Sequence, residues 1–429
     1  MSQIFTAASL GDLKFMKEIV KQVTDKFGKQ MTKYEILGEK DSKERTILHV
    51  AASGGRTPIC KYLVNTIKFD VNSQDLMGYT PLHFAILEGH YMTSSFLLGH
   101  GANPNLSSLN GLTPLHHAAK NGRKDLVKLL IKKGAEVDAP SASRGTPLRQ
   151  AAGYGMKDVV KILLSHKANP NYSCHPSLNP LIVTILENSL DCVRILLKHG
   201  ADPNLGLQGE APLIVALSAG NIQIIKCLLK AGADPNTTNF YDYTPIEIAV
   251  GEGNLAVADT LFDATARIPH ILTWSIHGIH EYLNSEEEKT QRQLKMPAKF
   301  LEAKENAAQA MITNEYMNAV YWYTEATRLN PTDEIVLSNR SFCWSRVNEG
   351  DLALTDAECC IRLKPEWAKG YYVAGVAYMM LKDYKNAVVE FENACKYDPL
   401  DMELRNAHSE ALAKLQAPPT DDFSRPSVD

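Results

Sequence analysis

The chemistry open to this chain rests first on its histidines and cysteines. His49, His83 and His116 each follow a threonine by three residues, in Thr46-Ile-Leu-His49, Thr80-Pro-Leu-His83 and Thr113-Pro-Leu-His116. A ring nitrogen there can bond the helix cap beside it, so the series reads as structural. His116 and His117 are adjacent, and adjacent helical residues point apart, which argues against shared metal ligation. His277 and His280 stand three apart with Glu281 nearby. A lone pair on a half-apolar helix reads as surface or core rather than as a metal site. Cys359 and Cys360 are neighbours, and Cys360 takes a small-residue packing position, so they read as buried thiols on a helix. Glu286 to Glu288 form a solvated charged face, not a carboxylate pair for acid–base work. No phosphate-binding loop, dinucleotide fingerprint, H-E-x-x-H or G-x-S-x-G is present. With no nucleophile–base constellation, the expectation is a protein with no catalytic residues, no metal and no cofactor.

The elements that position these residues repeat. Weaker copies of the threonine motif follow at Thr146-Pro-Leu-Arg149, Asn179-Pro-Leu-Ile182, Ala211-Pro-Leu-Ile214 and Thr244-Pro-Ile-Glu247. Pro81, Pro114, Pro147, Pro180, Pro212 and Pro245 recur at intervals of about 33 residues. Thr before Pro supplies an N-cap followed by the first helical position, so each motif opens a helix. Paired alanines such as Ala118-Ala119 and Ala151-Ala152 let successive helices approach closely. Leu126, Val127, Leu129 and Leu130 give a second helix its apolar face. Gly134, Gly200 and Gly232 then end such helices. Gly101-Ala-Asn-Pro-Asn105, Gly200-Ala-Asp-Pro-Asn204 and Gly232-Ala-Asp-Pro-Asn236 form a second signature, and Met77-Gly78 and Asn110-Gly111 suit projecting turns. Lys167 and Asn188 stand where glycines are expected, which marks the fifth and sixth repeats as the weakest interior ones.

A second period starts near residue 300. Pro331, Pro365 and Pro399 lie 34 apart, with Ala319, Ala353 and Ala387 before each and Ala326, Cys360 and Ala394 closer still. Small residues there mark helix crossings, with Tyr316, Leu352 and Tyr384 filling the large position between them. Residues 267–299 fit neither period. Their first half is apolar and expected to pack on the preceding repeat. Their second half reads as a polar, helical spacer ending near Pro297.

The first period resembles ankyrin repeats and the second tetratricopeptide repeats. The combination is similar to plant proteins that join an ankyrin array to a tetratricopeptide domain. The expected fold is all-α, two tandem solenoids: an ankyrin array with short hairpin turns, then a three-repeat tetratricopeptide superhelix. The expected organisation is about eight ankyrin repeats including caps over 1–266, a connector over 267–299, three tetratricopeptide repeats over 300–401, a capping helix over 402–416 and a disordered tail over 417–429.

The resemblance implies a non-enzymatic adaptor. The ankyrin surface would hold one protein through Tyr79, Leu112, Tyr154, Phe240, Tyr241 and Tyr243, exposed aromatic and apolar residues on a rigid scaffold. The tetratricopeptide groove would hold a peptide segment of another. The words Ser338-Asn-Arg-Ser341 and Trp367-Ala-Lys-Gly-Tyr371 resemble domains that clamp the C-terminal Glu-Glu-Val-Asp tail of cytosolic heat-shock chaperones. Counted from the three prolines, the clamp positions are Lys304, Ala308, Asn339, Lys369 and Val373. Ala308 and Val373 cannot donate to a carboxylate, so the clamp is diverged. The alternative reading is a co-chaperone that still binds such tails. Val428-Asp429 ends in the same way, which leaves occupancy of the groove by its own chain as a third reading.

Composition agrees. Lys+Arg 45 against Asp+Glu 49 gives a net charge of -4, which argues against a nucleic-acid partner. No apolar run approaches the roughly 18 residues of a membrane span. The N-terminus lacks a secretory pattern, and eight scattered cysteines without a C-x-x-C suit a reducing compartment. The expected location is the cytoplasm, with the nucleus as a second site.

Overall fold

The computed structural model describes residues 3–141, 144–172, 179–207 and 209–416. The tail at 417–429 with Val428-Asp429, and Cys174, lie outside the described residues. Among the described residues the chain is helical throughout, with one isolated bridge, Lys40 to Thr46, and no strand. No helix there is long and apolar enough to cross a membrane. The chain forms two compact units. The first takes in residues up to Asn239, with Thr244–Ala249 and Asn254–Ala266. The second takes in Phe240–Tyr243, Val250–Gly253 and the chain from Arg267 onward.

Each threonine motif opens a short helix, among them Ile47–Ser53, Pro81–Leu87, Pro114–Lys120 and Pro147–Gly153. The capping is reciprocal. In the Pro81–Leu87 helix, Thr80 Oγ1 accepts from the His83 amide while the Thr80 amide donates to His83 Nδ1 at 3.1 Å. The far ring nitrogen then reaches the next repeat. His49 Nε2 lies 3.0 Å from the Tyr79 carbonyl, His83 Nε2 3.1 Å from that of Leu112, and His116 Nε2 2.9 Å from that of Gly145. A ring that accepts at Nδ1 and donates at Nε2 is the neutral imidazole. The histidine series is therefore structural, as its spacing implied.

A second ladder ties the repeats together. Asn72 Nδ2 donates to the Gly101 carbonyl at 3.0 Å, and Asn72 Oδ1 accepts the Asn103 amide at 2.8 Å. Asn105, Asn171 and Asn204 repeat this pair of bonds onto Gly134 and Glu136, Gly200 and Asp202, and Gly232 and Asp234. At the equivalent place in the fourth repeat stands Asp138. It accepts the Asn169 amide at 3.0 Å but has no proton to donate toward Lys167. Lys167 itself holds φ +66° and Asn188 φ +53°, the left-handed region that costs a side chain about 1 kcal/mol. Gly89 shows why glycine occupies its own turn: it holds φ +80°, a conformation that side-chain-bearing residues rarely adopt.

Outside this regular run the N-terminal helix pair is unequal. Gln3–Leu10 is followed by Leu13–Gly38, a single helix of 26 residues rather than a short helix with a lengthened exit.

The second unit contains the helices Ile276–Asn284, Glu286–Ile312, Tyr316–Leu329, Glu334–Arg346, Gly350–Leu363, Ala368–Met380, Tyr384–Tyr397 and Met402–Gln416. Ala319, Ala326, Ala353, Cys360, Ala387 and Ala394 are all fully buried, as helix crossings demand. The larger residues expected with them are less buried: Tyr316 and Tyr384 are half-buried and Leu352 is 45% exposed. The spacer also differs from expectation. Glu286–Ile312 runs through Pro297 without a break, although proline removes one backbone bond there. Ser285 caps this helix by accepting from the Glu288 amide, and three glutamates in the first turn suit its dipole. The Arg292–Glu288 ion pair and the 3.2 Å Lys299–Asp242 bond brace the proline from both sides. Ser285 is thus a side-chain N-cap, and Glu288 is engaged by Tyr282 and Arg292 rather than simply solvated.

Burial pushes the pKa of His83 and of His116 down to about 4. The unfolded chain protonates these rings near 6.5, so it binds more protons than the fold between pH 6.5 and 4. Their contribution is complete above 6.5 and is lost as pH falls through that window, on the order of 3 kcal/mol for each ring. His83→Gln should lower stability at pH 7 yet shrink the loss between pH 7 and 4.5. Urea unfolding at the two pH values checks this; an acid limb as steep as that of the unmodified chain would contradict it.

Candidate functional site

The groove positions come from three helices of the second unit. Glu286–Ile312 carries Lys304 and Ala308, Glu334–Arg346 carries Asn339, and Ala368–Met380 carries Lys369 and Val373. Lys369 Nζ donates to Asn339 Oδ1 at 2.9 Å, and Asn339 Nδ2 donates to the Tyr323 hydroxyl at 3.2 Å. Tyr323 in turn donates to Met311 Sδ at 3.2 Å. Desolvation holds the Lys369 pKa below the ordinary lysine value. An ammonium has three protons, and one goes to Asn339, so Lys369 retains donors for an incoming carboxylate.

The other groove positions behave differently. Lys304 Nζ donates to Asp333 Oδ2 at 3.0 Å and lies 5.0 Å from the Phe300 ring centre. Asp333 also caps the Glu334–Arg346 helix, accepting from the Val336 amide at 2.8 Å. The charge of Lys304 is therefore already answered within the fold. Ala308 is exposed. Val373 does not line an open groove, contrary to its sequence assignment. It is 2% exposed and packs with Ala357, Ala374, Leu354, Ile361 and Tyr372, because its face of the helix turns toward the preceding helix pair.

Sequence reasoning missed the residues that hold Asn339 in place. Arg340 makes a bidentate pair with Asp356, both bonds 2.7 Å, and Asp356 is buried. Ser341 Oγ donates to the Ala353 carbonyl at 2.7 Å. Ser338-Asn-Arg-Ser341 thus alternates anchoring residues with one that faces the groove. The signal was the pairing of Arg340 with an acid on the partner helix of the same repeat.

The residues assigned to partner binding divide. Tyr154 is 47% exposed, with the Lys120 ammonium 4.9 Å from its ring centre. Tyr79 is half-buried between the rings of His83 and His117, at 5.3 and 5.6 Å. Leu112 is half-buried, and its carbonyl receives His83. Phe240, Tyr241 and Tyr243 belong to the second unit and are engaged there. Phe240 is 2% exposed against Ala303, Ala307 and Trp322. The Tyr241 hydroxyl donates to Glu325 at 2.7 Å, and the Arg292 guanidinium lies 3.3 Å over the Tyr243 ring. Burial, then the Glu325 carboxylate, push the Tyr241 pKa up. Phe240 is thereby a core residue, not an exposed anchor.

His277 pairs with Glu281 at 3.2 Å on an exposed helix face, and His280 meets Asn284. Among the described residues no three metal-binding side chains converge. Cys360 is buried, which pushes its pKa up to about 12. Cys359 Sγ accepts from Arg362 at 2.8 Å.

Burial at position 373 generates a direct test. Val373→Arg places a charge in an apolar contact and should cost about 3 kcal/mol or more, whereas Val373→Ile should cost under about 1.5. Urea unfolding of the full chain reads both. An arginine variant as stable as the parent would mean that the side chain reaches solvent.

The family model for ankyrin repeats matches residues 4–108, 95–174 and 181–270. An Hsp70-Hsp90 organizing protein of Triticum aestivum is 32% identical over 124 residues, 29% of this chain and 21% of that protein. Hsp70-Hsp90 organizing protein 2 of Arabidopsis thaliana is 38% identical over 90 residues, 21% of this chain and 16% of that protein. The human tetratricopeptide repeat protein 28 is 32% identical over 117 residues, 27% of this chain and 5% of that protein. The chain thus spans about a fifth or less of the length of these relatives.

Proposed function

The chain belongs to the ankyrin-repeat proteins, and from that membership we propose a non-enzymatic adaptor whose tetratricopeptide groove binds a carboxylate-bearing peptide of one protein while the ankyrin unit holds another. Joining the two on one chain raises the effective concentration of each partner for the other without new chemistry. The observation that carries the groove half is the Lys369–Asn339–Tyr323 relay. A cation from the fifth helix of the Glu286–Ile312 series is held by an amide from the third. Lys304 is answered by Asp333, so the groove presents one carboxylate site rather than two. On this reading the protein works in the cytoplasm.

The co-chaperone alternative draws support from relatives named Hsp70-Hsp90 organizing proteins. On that reading the bound peptide is a chaperone C-terminal tail. A hydrogen bond to a charged group contributes about 1.5–3 kcal/mol, so the donor missing at Ala308 weakens such a tail by about that much relative to a complete clamp, while Val373, covered by Leu354 and Ile361, lies outside the groove.

Calorimetry of the full chain with a Glu-Glu-Val-Asp peptide and its amidated counterpart tests the proposal. Weak binding that needs the free carboxylate, and that Lys369→Ala removes, is expected. Equal binding of acid and amide would contradict the carboxylate site. Tight, carboxylate-dependent binding would favour the co-chaperone reading.

A further inference from the structure

The second helices of the fourth to seventh repeats, Lys124–Lys132, Lys157–Ser165, Leu190–Lys198 and Ile222–Lys230, pack side by side in the first unit. Together they carry nine Lys or Arg against three Asp and no Glu. The whole chain has a net charge of -4, so this face runs against the balance of the protein. Lys128, Lys161, Arg194 and Lys226 occupy the same place on successive helices, and all four are exposed. Asp158 feels the charge of Lys161, but the ion pairs of Asp158 and Asp191 go elsewhere. Asp158 binds Lys124 at 3.1 Å and Asp191 binds Lys157 at 3.2 Å, lysines that lie outside the row. The face is bounded on both sides. Tyr91–Gly99 in the third repeat has no charged residue, and Leu255–Phe262 in the eighth has only Asp259.

We propose that this row is a docking surface for an extended Asp/Glu-rich segment of a partner protein. Packed helices lie about 10 Å apart, so three steps span about 30 Å. An extended chain covers that distance in about nine residues, at roughly 3.3 Å each, and because its side chains alternate between faces, a run of acids rather than one in three is what meets successive cations. Two other polyanions fit less well. Among the described residues these four helices expose no large apolar side chain to enter a bilayer and no aromatic to stack on a base. Association through such a row weakens steeply with salt, because exposed charges are screened within about 10 Å at 0.1 M. The inference deepens the adaptor reading by giving the ankyrin unit a partner of stated chemistry, at a surface other than the Tyr79 and Tyr154 region.

The full chain is titrated at low salt with a fluorescent deca-glutamate peptide. Deca-glutamine, phosphatidylserine vesicles and a single-stranded oligonucleotide serve as comparators. Deca-glutamate should bind, deca-glutamine should not, and added salt should weaken the complex. The combined variant Lys161→Gln, Arg194→Gln, Lys226→Gln should weaken it at least tenfold while leaving the helical signal and the Glu-Glu-Val-Asp calorimetry unchanged. Unaltered deca-glutamate binding by that variant overturns the proposal. So does tighter binding of vesicles or oligonucleotide than of peptide. If Lys369→Ala rather than the triple variant removes deca-glutamate, the groove is the acidic site, and this inference fails while the adaptor reading stands.

Discussion

Asn72, Asn105, Asn171 and Asn204 each give one hydrogen bond to the following repeat and take one back. Beside them, the rings of His49, His83 and His116 reach carbonyls about thirty residues further on. These rungs satisfy loop backbone that would otherwise lie unpaired at each junction. They also fix the spacing at which every exposed side chain is presented. Such an array is held by contacts between neighbours, so a defect at one rung stays local. The Asp138 rung lacks a donor, and the next repeats carry Lys167 and Asn188 in the left-handed region. The softest interior junctions are therefore expected at the fifth and sixth repeats.

In the second unit, small buried residues set the helix crossings, and ion pairs decide which polar groups remain available. Arg340 and Asp356 lock the helix that carries Asn339. Asp333 occupies Lys304, and Lys369 is left with Asn339. The groove positions thus hold one cation bonded to an amide. The first unit shows the reverse arrangement, an exposed row of cations, Lys128, Lys161, Arg194 and Lys226, on the second helices of four repeats.

Much of this was legible in the sequence, because repetition turns weak local signals into strong ones. One Thr-Pro pair says little, but six prolines at a near-fixed interval, four of them after threonine, set helix starts, buried alanines and capping histidines together. Lys167 and Asn188 were legible for the same reason, as departures from a rule. What periodicity could not supply was which neighbour covers a side chain. Val373 shares the helix of Lys369 and was expected in the groove, yet Leu354 and Ile361 cover it. Phe240 looked like an exposed turn residue, but its ring completes a core built from Ala303, Ala307 and Trp322. Pro297 suggested a helix end, yet the helix continues through it. The Asn ladder was present in the repeated Pro-Asn word but became readable only once the following repeat's carbonyl lay beside it.

The central claim is that rungs between neighbouring repeats hold the array and that the Asp138 junction is its softest interior point. Native-state hydrogen exchange on the full chain, compared with Asp138→Asn, tests it most directly. The account predicts the lowest interior protection in the fifth and sixth repeats, around the amides of Ala168 and Asn169. It also predicts that Asp138→Asn raises protection there and leaves the second and third repeats unchanged. Uniform protection from the third repeat to the seventh, with no response to the substitution, would contradict it.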